Sequence, residues 1–230
     1  MALPTIISRL SIPDAPLHPG IQMSAIIICF AYLAKGPQPG EYLVFSDSGE
    51  AQWFTLFRGA RSIIKDTLMA QIRRERMTDS LGTPDSTGYE RQLPPDFIDR
   101  FQRFHEFLSN AAVGEEAFQV PLDAMNLLKT TMVARYGLPV AWDEGDHKYS
   151  HVLFSWLYRI SDDFLSTLAQ KRPASLVIFS FYATLLRDYH PRWMMNDWPD
   201  HIEDGIRKYL HPRYKQWVEN PEQSGEGSAV

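Results

Sequence analysis

Hydrophobic positions in this chain recur at three- and four-residue steps over long stretches, which is the spacing of one face of an α-helix. Trp53, Phe57 and Ala60 illustrate this spacing. The tract from 174 to 186, which follows Pro173, differs because it is apolar nearly all round. A helix without a polar face must be enclosed by other elements. The pattern therefore predicts a helical body with one buried helix at its centre.

The same spacing, together with capping and breaking residues, predicts the other elements. Loops are expected at Gly36–Gly49 and Thr78–Pro95, and the chain shows neither strand alternation nor an internal repeat. The expected fold is all-α, a single helical bundle of about seven to eight helices with a buried central hydrophobic helix. The predicted helices cover Met23–Ala34, Ala51–Arg76, a segment with Phe97 and Leu108, Leu122–Tyr136, His147–Tyr158, a short helix capped by Ser161, and Pro199–Leu210, with a final turn at Tyr214 and Trp217.

The two ends of the chain differ in composition from its middle. Residues 1–21 are rich in proline, which favours an extended N-terminal arm. Residues 220–230 are mostly Glu, Gln, Ser and Gly, a composition typical of a disordered tail. The intervening residues 22–219 are expected to form one all-helical regulatory or ligand-binding domain, since a chain of 230 residues can bury a sizeable core.

Charge and cysteine content narrow the functional class. A formal net charge of −5 argues against direct binding to nucleic acid, which usually needs a clustered basic face. Cys29 is the single cysteine, so a reducing compartment is expected and no multi-thiolate metal site is available. Its apolar neighbours favour core packing. The apolar run 25–34 is too short to cross a bilayer, so no membrane span is expected.

Two blocks of sequence carry a resemblance to a known family. The first, 53–64, contains Leu-Phe-Arg-Gly-Ala-Arg-Ser-Ile, and the second runs from Asp163 to Trp217. The second block includes Arg172-Pro173, Trp193 and Trp198-Pro199. In order and separation these blocks resemble the C-terminal regulatory domain of fungal zinc-cluster transcription factors, in the sterol uptake control protein family. They cover about three-tenths of the chain.

The resemblance implies an all-helical effector domain that controls transcription and that, in sterol-sensing members, holds a sterol in a hydrophobic pocket. Members of the family also carry an N-terminal zinc cluster held by six cysteines, and this chain has one cysteine. The implied partners are a hydrophobic small molecule, sterol-like or terpenoid, and a DNA-binding protein partner, with no direct nucleic acid contact. The implied location is the nucleus, with the cytoplasm as the alternative. A divergent regulator, a truncated product and a helical pocket recruited to other work all remain open.

Aromatic and methionine side chains on and around the buried helix are the candidate ligand-binding residues. Rigid rings and adaptable methionines suit a flat, apolar ligand, although the same residues at helical spacing are also typical of plain core packing. The candidates are Trp156, Phe179, Phe181, Tyr182, Trp193, Met194, Met195 and Trp198.

Motifs for catalysis or metal binding are weak. Asp162 and Asp163 could be read as an aspartate-rich motif that binds a diphosphate through metal ions. That motif needs a third acid three residues after Asp163, where this chain has Ser166, so acids in the first turn of a helix explain the pair better. His147 and His151 have helical spacing but lack the glutamate of a zincin. The sequence therefore assigns no catalytic residue, no metal site and no cofactor.

A second hypothesis keeps the hydrophobic pocket without the regulatory role. The chain would then be a stand-alone carrier or a cyclase of secondary metabolism that folds an apolar substrate by shape. Such an enzyme needs no motif, since orientation alone accelerates a reaction strongly. The sequence leaves regulator and enzyme open and leans toward the regulator.

Overall fold

The computed structural model describes residues 19–62, 93, 95–136, 152–187 and 197–218, and helices dominate these parts of the chain. Two 3₁₀ turns, Glu116–Phe118 and Pro212–Trp217, are also present there. The predicted all-α fold is confirmed. The α-helical segments of the described residues are α1 Pro19–Ala34, α2 52–62, α3 Pro95–Gly114, α4 Gln119–Tyr136, α5 Val152–Arg159, α6 Asp162–Ala169, α7 Pro173–Leu186 and α8 Trp198–Tyr209.

Helix α7 is the buried centre that the sequence predicts. It begins at Pro173, whose missing N–H costs nothing at the first helical position, and the preceding Arg172 is extended. Twelve of its fourteen residues are buried. Helices α8, α4 and α6 and the second 3₁₀ turn pack around it. The helix is enclosed because its sequence offers no polar face to water.

Helix α3 shows the ordinary amphipathic pattern. Its buried residues are Phe97, Phe101, Phe104 and Leu108, as the predicted spacing requires. The opposite face carries exposed ion pairs such as Arg103 with Asp99. The apolar stripe turns toward Phe181 of α7, with ring centroids 5.5 Å apart for Phe97 and 5.2 Å for Phe101. One face of α3 therefore packs against the core, and the opposite face lies in solvent.

A small antiparallel sheet occupies the segment for which the sequence predicts a loop, so that prediction was wrong. Its strands are β1 Glu41–Tyr42, β2 Phe45–Ser46 and β3 Gly49–Glu50, in the order β1-β2-β3. Tyr42 lies opposite Phe45, and Ser46 opposite Gly49. Strands of two residues are too short to show alternation in sequence. We call residues 41–50 the meander.

Helix boundaries differ from the predicted ones by a few residues. Helix α1 begins at Pro19, inside the predicted arm 1–21, because proline suits a first helical position. Helix α6 begins as predicted, with the Ser161 hydroxyl accepting a hydrogen bond from the Phe164 N–H at 3.1 Å.

Several predictions fall on residues that the structure does not describe. They concern most of the arm, the loop that starts at Thr78, the histidine pair and the tail 220–230. Within the described segments, no helix combines the length and the apolar character needed to cross a bilayer.

Candidate functional site

Five of the eight candidate ligand-binding residues lie in the described part of the chain, and all five are buried. Trp193, Met194 and Met195 lie outside it. None of the five side chains has more than 2% of its surface exposed. The described candidates, which are Trp156, Phe179, Phe181, Tyr182 and Trp198, are therefore part of the core in this structure.

Three of these rings form one continuous stack. The Trp156 and Tyr182 ring centroids are 4.5 Å apart and nearly parallel, and Tyr182 stacks on Phe179 at 5.8 Å. The Trp156 indole N–H donates to the Ala124 carbonyl at 3.1 Å, which fixes α5 against α4. Phe179 then meets Phe45 of the meander edge-on at 6.1 Å. The stack thus joins α5, α7 and β2.

The other two candidates lie elsewhere. Phe181 packs with the phenylalanines of α3, and Trp198 opens α8, where its indole N–H donates to the Leu33 carbonyl of α1 at 3.0 Å. Residues 179 and 181 are separated by about 200° around a helix, so they point to opposite sides of α7. The described candidates therefore lie on different sides of α7 and do not form one wall.

A polar cluster centred on Asp47 joins the meander to α8, and sequence reasoning missed it. The Asp47 carboxylate accepts hydrogen bonds from Tyr209 at 2.7 Å and Tyr42 at 3.0 Å. Lys208 donates to both carboxylate oxygens, at 2.8 and 2.9 Å. Lys171, just before α7, donates to the Asp47 backbone carbonyl at 3.0 Å, and its ammonium lies 4.6 Å from the Tyr209 ring centroid. These contacts fix the β2–β3 turn of the meander to α8 and to the residue before α7.

Two further side chains hold the other end of the meander. The His201 Nε2 lies 3.1 Å from the Gln38 carbonyl oxygen and 3.0 Å from that of Glu41, so this nitrogen is the donor. The His201 ring also stacks on Tyr42 at 5.2 Å. The Glu41 carboxylate accepts hydrogen bonds from the Tyr32 hydroxyl and from the Gln52 N–H. The meander is thus tied to α8, α1 and α2.

The electrostatics of the cluster follow from these hydrogen bonds. Those from Lys208 and Tyr209 lower the pKa of Asp47 to about 2. The hydrogen bond to Asp47 raises the pKa of Lys208, and the hydrogen bond between Tyr209 and Asp47 raises the pKa of Tyr209. Burial and Asp47 raise the pKa of Tyr42.

These shifts decide what the cluster can do chemically. A carboxylate with a pKa near 2 that already accepts several hydrogen bonds is a poor general base at neutral pH, and it has no proton to donate as an acid. Phenols whose pKa is raised are poor nucleophiles. The cluster is therefore suited to fastening the meander to α8 and not to acid–base catalysis.

The backbone of the meander is held in an uncommon conformation. Leu43 has a φ of 68°, and the Val44 N–H donates to the Tyr42 carbonyl at 2.9 Å. This is a three-residue γ-turn of the strained type. Leu43 and Val44 are fully buried, so core packing on both residues stabilises a turn that leucine rarely adopts.

Metal and thiol chemistry find no support among the described residues. Within those ranges, no group of three or more His, Cys, Asp or Glu side chains is placed to hold a metal ion. Cys29 is buried, and burial raises the pKa of its thiol. Because the thiolate is the reactive form, this cysteine behaves as a packing residue.

Local sequence carries no signal for the Asp47 cluster, because Asp47 and Lys208 are 161 residues apart along the chain. The run Ser46–Gly49 predicts only a turn. No protein-family model, curated protein or solved structure matches this chain.

Proposed function

We propose that this chain is an effector domain of a transcription regulator of the fungal zinc-cluster type. In this proposal it binds a hydrophobic small molecule or a protein partner, acts in the nucleus, and reaches DNA through a separate DNA-binding chain. The proposal originates in the two sequence blocks, 53–64 and 163–217.

The observation that carries it is that both blocks contribute to one core. Trp53 and Phe54 of the first block belong to the same buried cluster as Phe164 and Trp198 of the second. The Trp53 indole N–H also donates to the Cys29 carbonyl at 3.2 Å, which ties α2 to α1. The two blocks thus contribute side chains to one hydrophobic core, as expected if both belong to a single domain of the family they resemble.

The two kinds of partner make different demands on this core. Trp156 and Tyr182 are enclosed, so a small molecule that touches them must displace neighbouring side chains. The ligand-bound form would then have a rearranged core. A protein partner that binds an outer surface needs no such change.

The Asp47 cluster does not support one form of the cyclase alternative. A cyclase that starts by protonating its substrate needs a carboxylic acid that is neutral at working pH. Asp47, with a pKa near 2, is ionised there.

The proposal is tested by tethering the full chain to a heterologous DNA-binding domain upstream of a reporter gene. We expect reporter transcription to change several-fold relative to the DNA-binding domain alone, because an effector domain acts wherever it is recruited. A matched pair of variants on α6 provides the control. Ser166→Asp, at an exposed position, should keep the effect, and Leu168→Asp, at a fully buried one, should abolish it by unfolding the domain.

An unchanged reporter would refute the effector role, and an equal effect from Leu168→Asp would show that the folded domain is not responsible. Native mass spectrometry of chain purified from its host then separates the two kinds of partner. An added mass of a few hundred daltons indicates a small molecule, whereas a bare 26.5 kDa chain favours the protein partner.

A further inference from the structure

The backbone of the meander is hydrogen-bonded within its own part of the chain. Its strands pair in the order β1-β2-β3. The Asp47 N–H donates to the Gly40 carbonyl at 2.8 Å, and the Ala51 N–H donates to the Val44 carbonyl at 3.2 Å. Among the described residues, no backbone–backbone hydrogen bond joins 41–50 to a helix. The meander can therefore leave the helices without breaking a hydrogen bond between their backbones.

Side chains make the hydrogen bonds that hold the meander to the helices in the described part of the chain. Lys208 and Tyr209 donate to the Asp47 carboxylate, and the His201 Nε2 donates to the Glu41 carbonyl at 3.0 Å. The side chains of Lys208 and Asp47 are 50% and 45% exposed. Water replaces such exposed partners readily, so a single contact of this kind contributes little to stability.

The apolar packing of the meander is also limited in extent. Helix α7 buries twelve of its fourteen residues, whereas the meander buries four consecutive apolar side chains, those of Tyr42, Leu43, Val44 and Phe45. Opening of the meander therefore exposes less apolar surface than unfolding of the helical body. The γ-turn at Leu43 favours opening further, since its strained backbone relaxes once the packing is lost. A segment with these properties is expected to unfold locally before the rest of the chain.

Phe45 connects this opening to the candidate ligand-binding residues. Its ring is fully buried and meets Phe179 edge-on at 6.1 Å, at the end of the stack that continues through Tyr182 to Trp156. A flat apolar molecule that contacts Phe179 from the side of the meander must take the place of the Phe45 ring. We propose that the meander is a strap that opens by local unfolding, while the helices stay folded, and admits such a molecule to the stack. The inference rests on the small-molecule form of the proposed function.

Hydrogen exchange in the full-length chain tests whether the meander opens by itself. Under native conditions, and after correction for intrinsic rates, the amides of 41–51 should be protected about tenfold less than those of α7, or less still. Their protection should also depend less on added urea, because local opening exposes less surface than global unfolding does. Mass spectrometry of peptides from the two segments, or NMR of single amides, measures both quantities.

Two variants separate local opening from unfolding of the whole chain. Ser161→Ala weakens α6, which stays folded when only the meander opens, so it should lower the protection of α7 about fivefold and leave that of the meander unchanged. Asp47→Asn weakens the contacts that opening breaks, so it should lower the protection of the meander severalfold. A meander that is protected as strongly as α7, or that responds to Ser161→Ala as α7 does, overturns the proposal.

Binding of the fluorescent probe anilinonaphthalene sulfonate tests whether the opening admits a flat apolar molecule. The apparent affinity of such a probe rises in proportion to the population of the form that binds it. Asp47→Asn should therefore bind the probe severalfold more tightly than the wild-type chain. Asp200→Asn is the matched control, because it removes an exposed carboxylate that pairs with Arg187, and it should leave the affinity unchanged.

Adding Phe179→Leu to Asp47→Asn should cancel the gain in affinity, since the probe loses the ring that it contacts. A gain that survives Phe179→Leu places the probe elsewhere and overturns the role of the strap in ligand entry. A probe affinity that Asp47→Asn leaves unchanged overturns it as well. Neither measurement depends on transcription. A silent reporter with an opening meander therefore refutes the effector role alone, and an active reporter with a meander that stays closed refutes the strap alone.

Discussion

The contact between Gly205 and Tyr42 sets how closely α8 approaches the meander. A β-carbon added at Gly205 would lie 2.2 Å from the Tyr42 Cδ1 and 2.4 Å from its Cγ, far inside van der Waals contact. Tyr42 cannot easily turn aside, because it is buried, stacks on His201 and donates to Asp47. Glycine is therefore required here for space and not for backbone freedom.

We expect Gly205→Ala to destabilise the folded chain by about 1–3 kcal/mol, the usual cost of forcing extra atoms into a packed site. The gain in helix propensity, about 1 kcal/mol, offsets only part of this cost. The measurement is the free energy of unfolding in urea. Gly59→Ala is the matched control, since a β-carbon there meets nothing within 4 Å. It should stabilise α2 by up to about 1 kcal/mol. Equal effects from the two variants would contradict the role assigned to Gly205.

At the scale of elements, a short polar side chain determines where α6 begins. Ser161 caps α6, while Asp162 and Asp163 occupy its first turn, where carboxylates favour the positive end of the helix dipole. Helix α6 packs on both α7 and α4 and contacts β2. A change that destabilises the first turn of α6 therefore also weakens the packing of α6 on these core elements.

We expect Ser161→Ala to lower the free energy of unfolding by about 1 kcal/mol, because the Phe164 N–H loses its acceptor. Urea unfolding followed by circular dichroism measures the change. Ser166→Ala, an exposed serine in the same helix, serves as the control and should change stability by less than about 0.5 kcal/mol. If Ser161→Ala left the free energy of unfolding unchanged, water would have to replace the hydroxyl fully as the acceptor for the Phe164 N–H, which would contradict the prediction.

At the scale of the whole molecule, the Asp47 cluster connects parts of the chain that are distant in sequence. The lowered pKa of Asp47 means that its carboxylate stabilises the folded state when ionised. This contribution is complete above about pH 4. It is lost as the pH falls from the ordinary value of 3.8 toward the folded value of about 2.

We expect Asp47→Asn to be less stable than the wild-type chain at neutral pH and to approach it as the pH falls to about 2. The urea midpoint measured at intervals between pH 2 and pH 6 tests this. Glu50→Gln removes another carboxylate of the meander without touching Lys208, and it should retain the wild-type difference between pH 4 and pH 2. High salt should reduce the effect of Asp47, because both charged groups are about half exposed. Parallel stability curves for wild type and Asp47→Asn would contradict the prediction.

Patterns confined to one segment could be predicted from the sequence. The burial of α7 follows from a helix that is apolar all round, and the cap at Ser161 from a hydroxyl followed by two acids. The meander could not be predicted, because its strands have two residues each and the positive φ of Leu43 depends on packing from elsewhere. The Asp47 cluster is equally invisible, since Lys208 and Tyr209 meet Asp47 only after folding.

Helical periodicity explains only part of the arrangement of the candidate ligand-binding residues. Phe179 and Tyr182 are three apart and share a side of α7, so their stacking agrees with helical periodicity. Phe181 lies on the opposite side of α7, where it packs on α3. Trp198 joins α1 through Leu33, which no local pattern indicates.

The separation of 161 residues between Asp47 and Lys208 has a consequence for biosynthesis. A ribosome completes the segment 41–50 long before it translates 198–209. Until then Tyr42 and Phe45 lack their ring contacts with Tyr209 of α8, and Asp47 lacks the hydrogen bonds from Lys208 and Tyr209. The nascent chain therefore cannot complete the Asp47 cluster until most of it has been synthesised, and a stop codon before Lys208 removes both side chains of α8 that donate to this carboxylate.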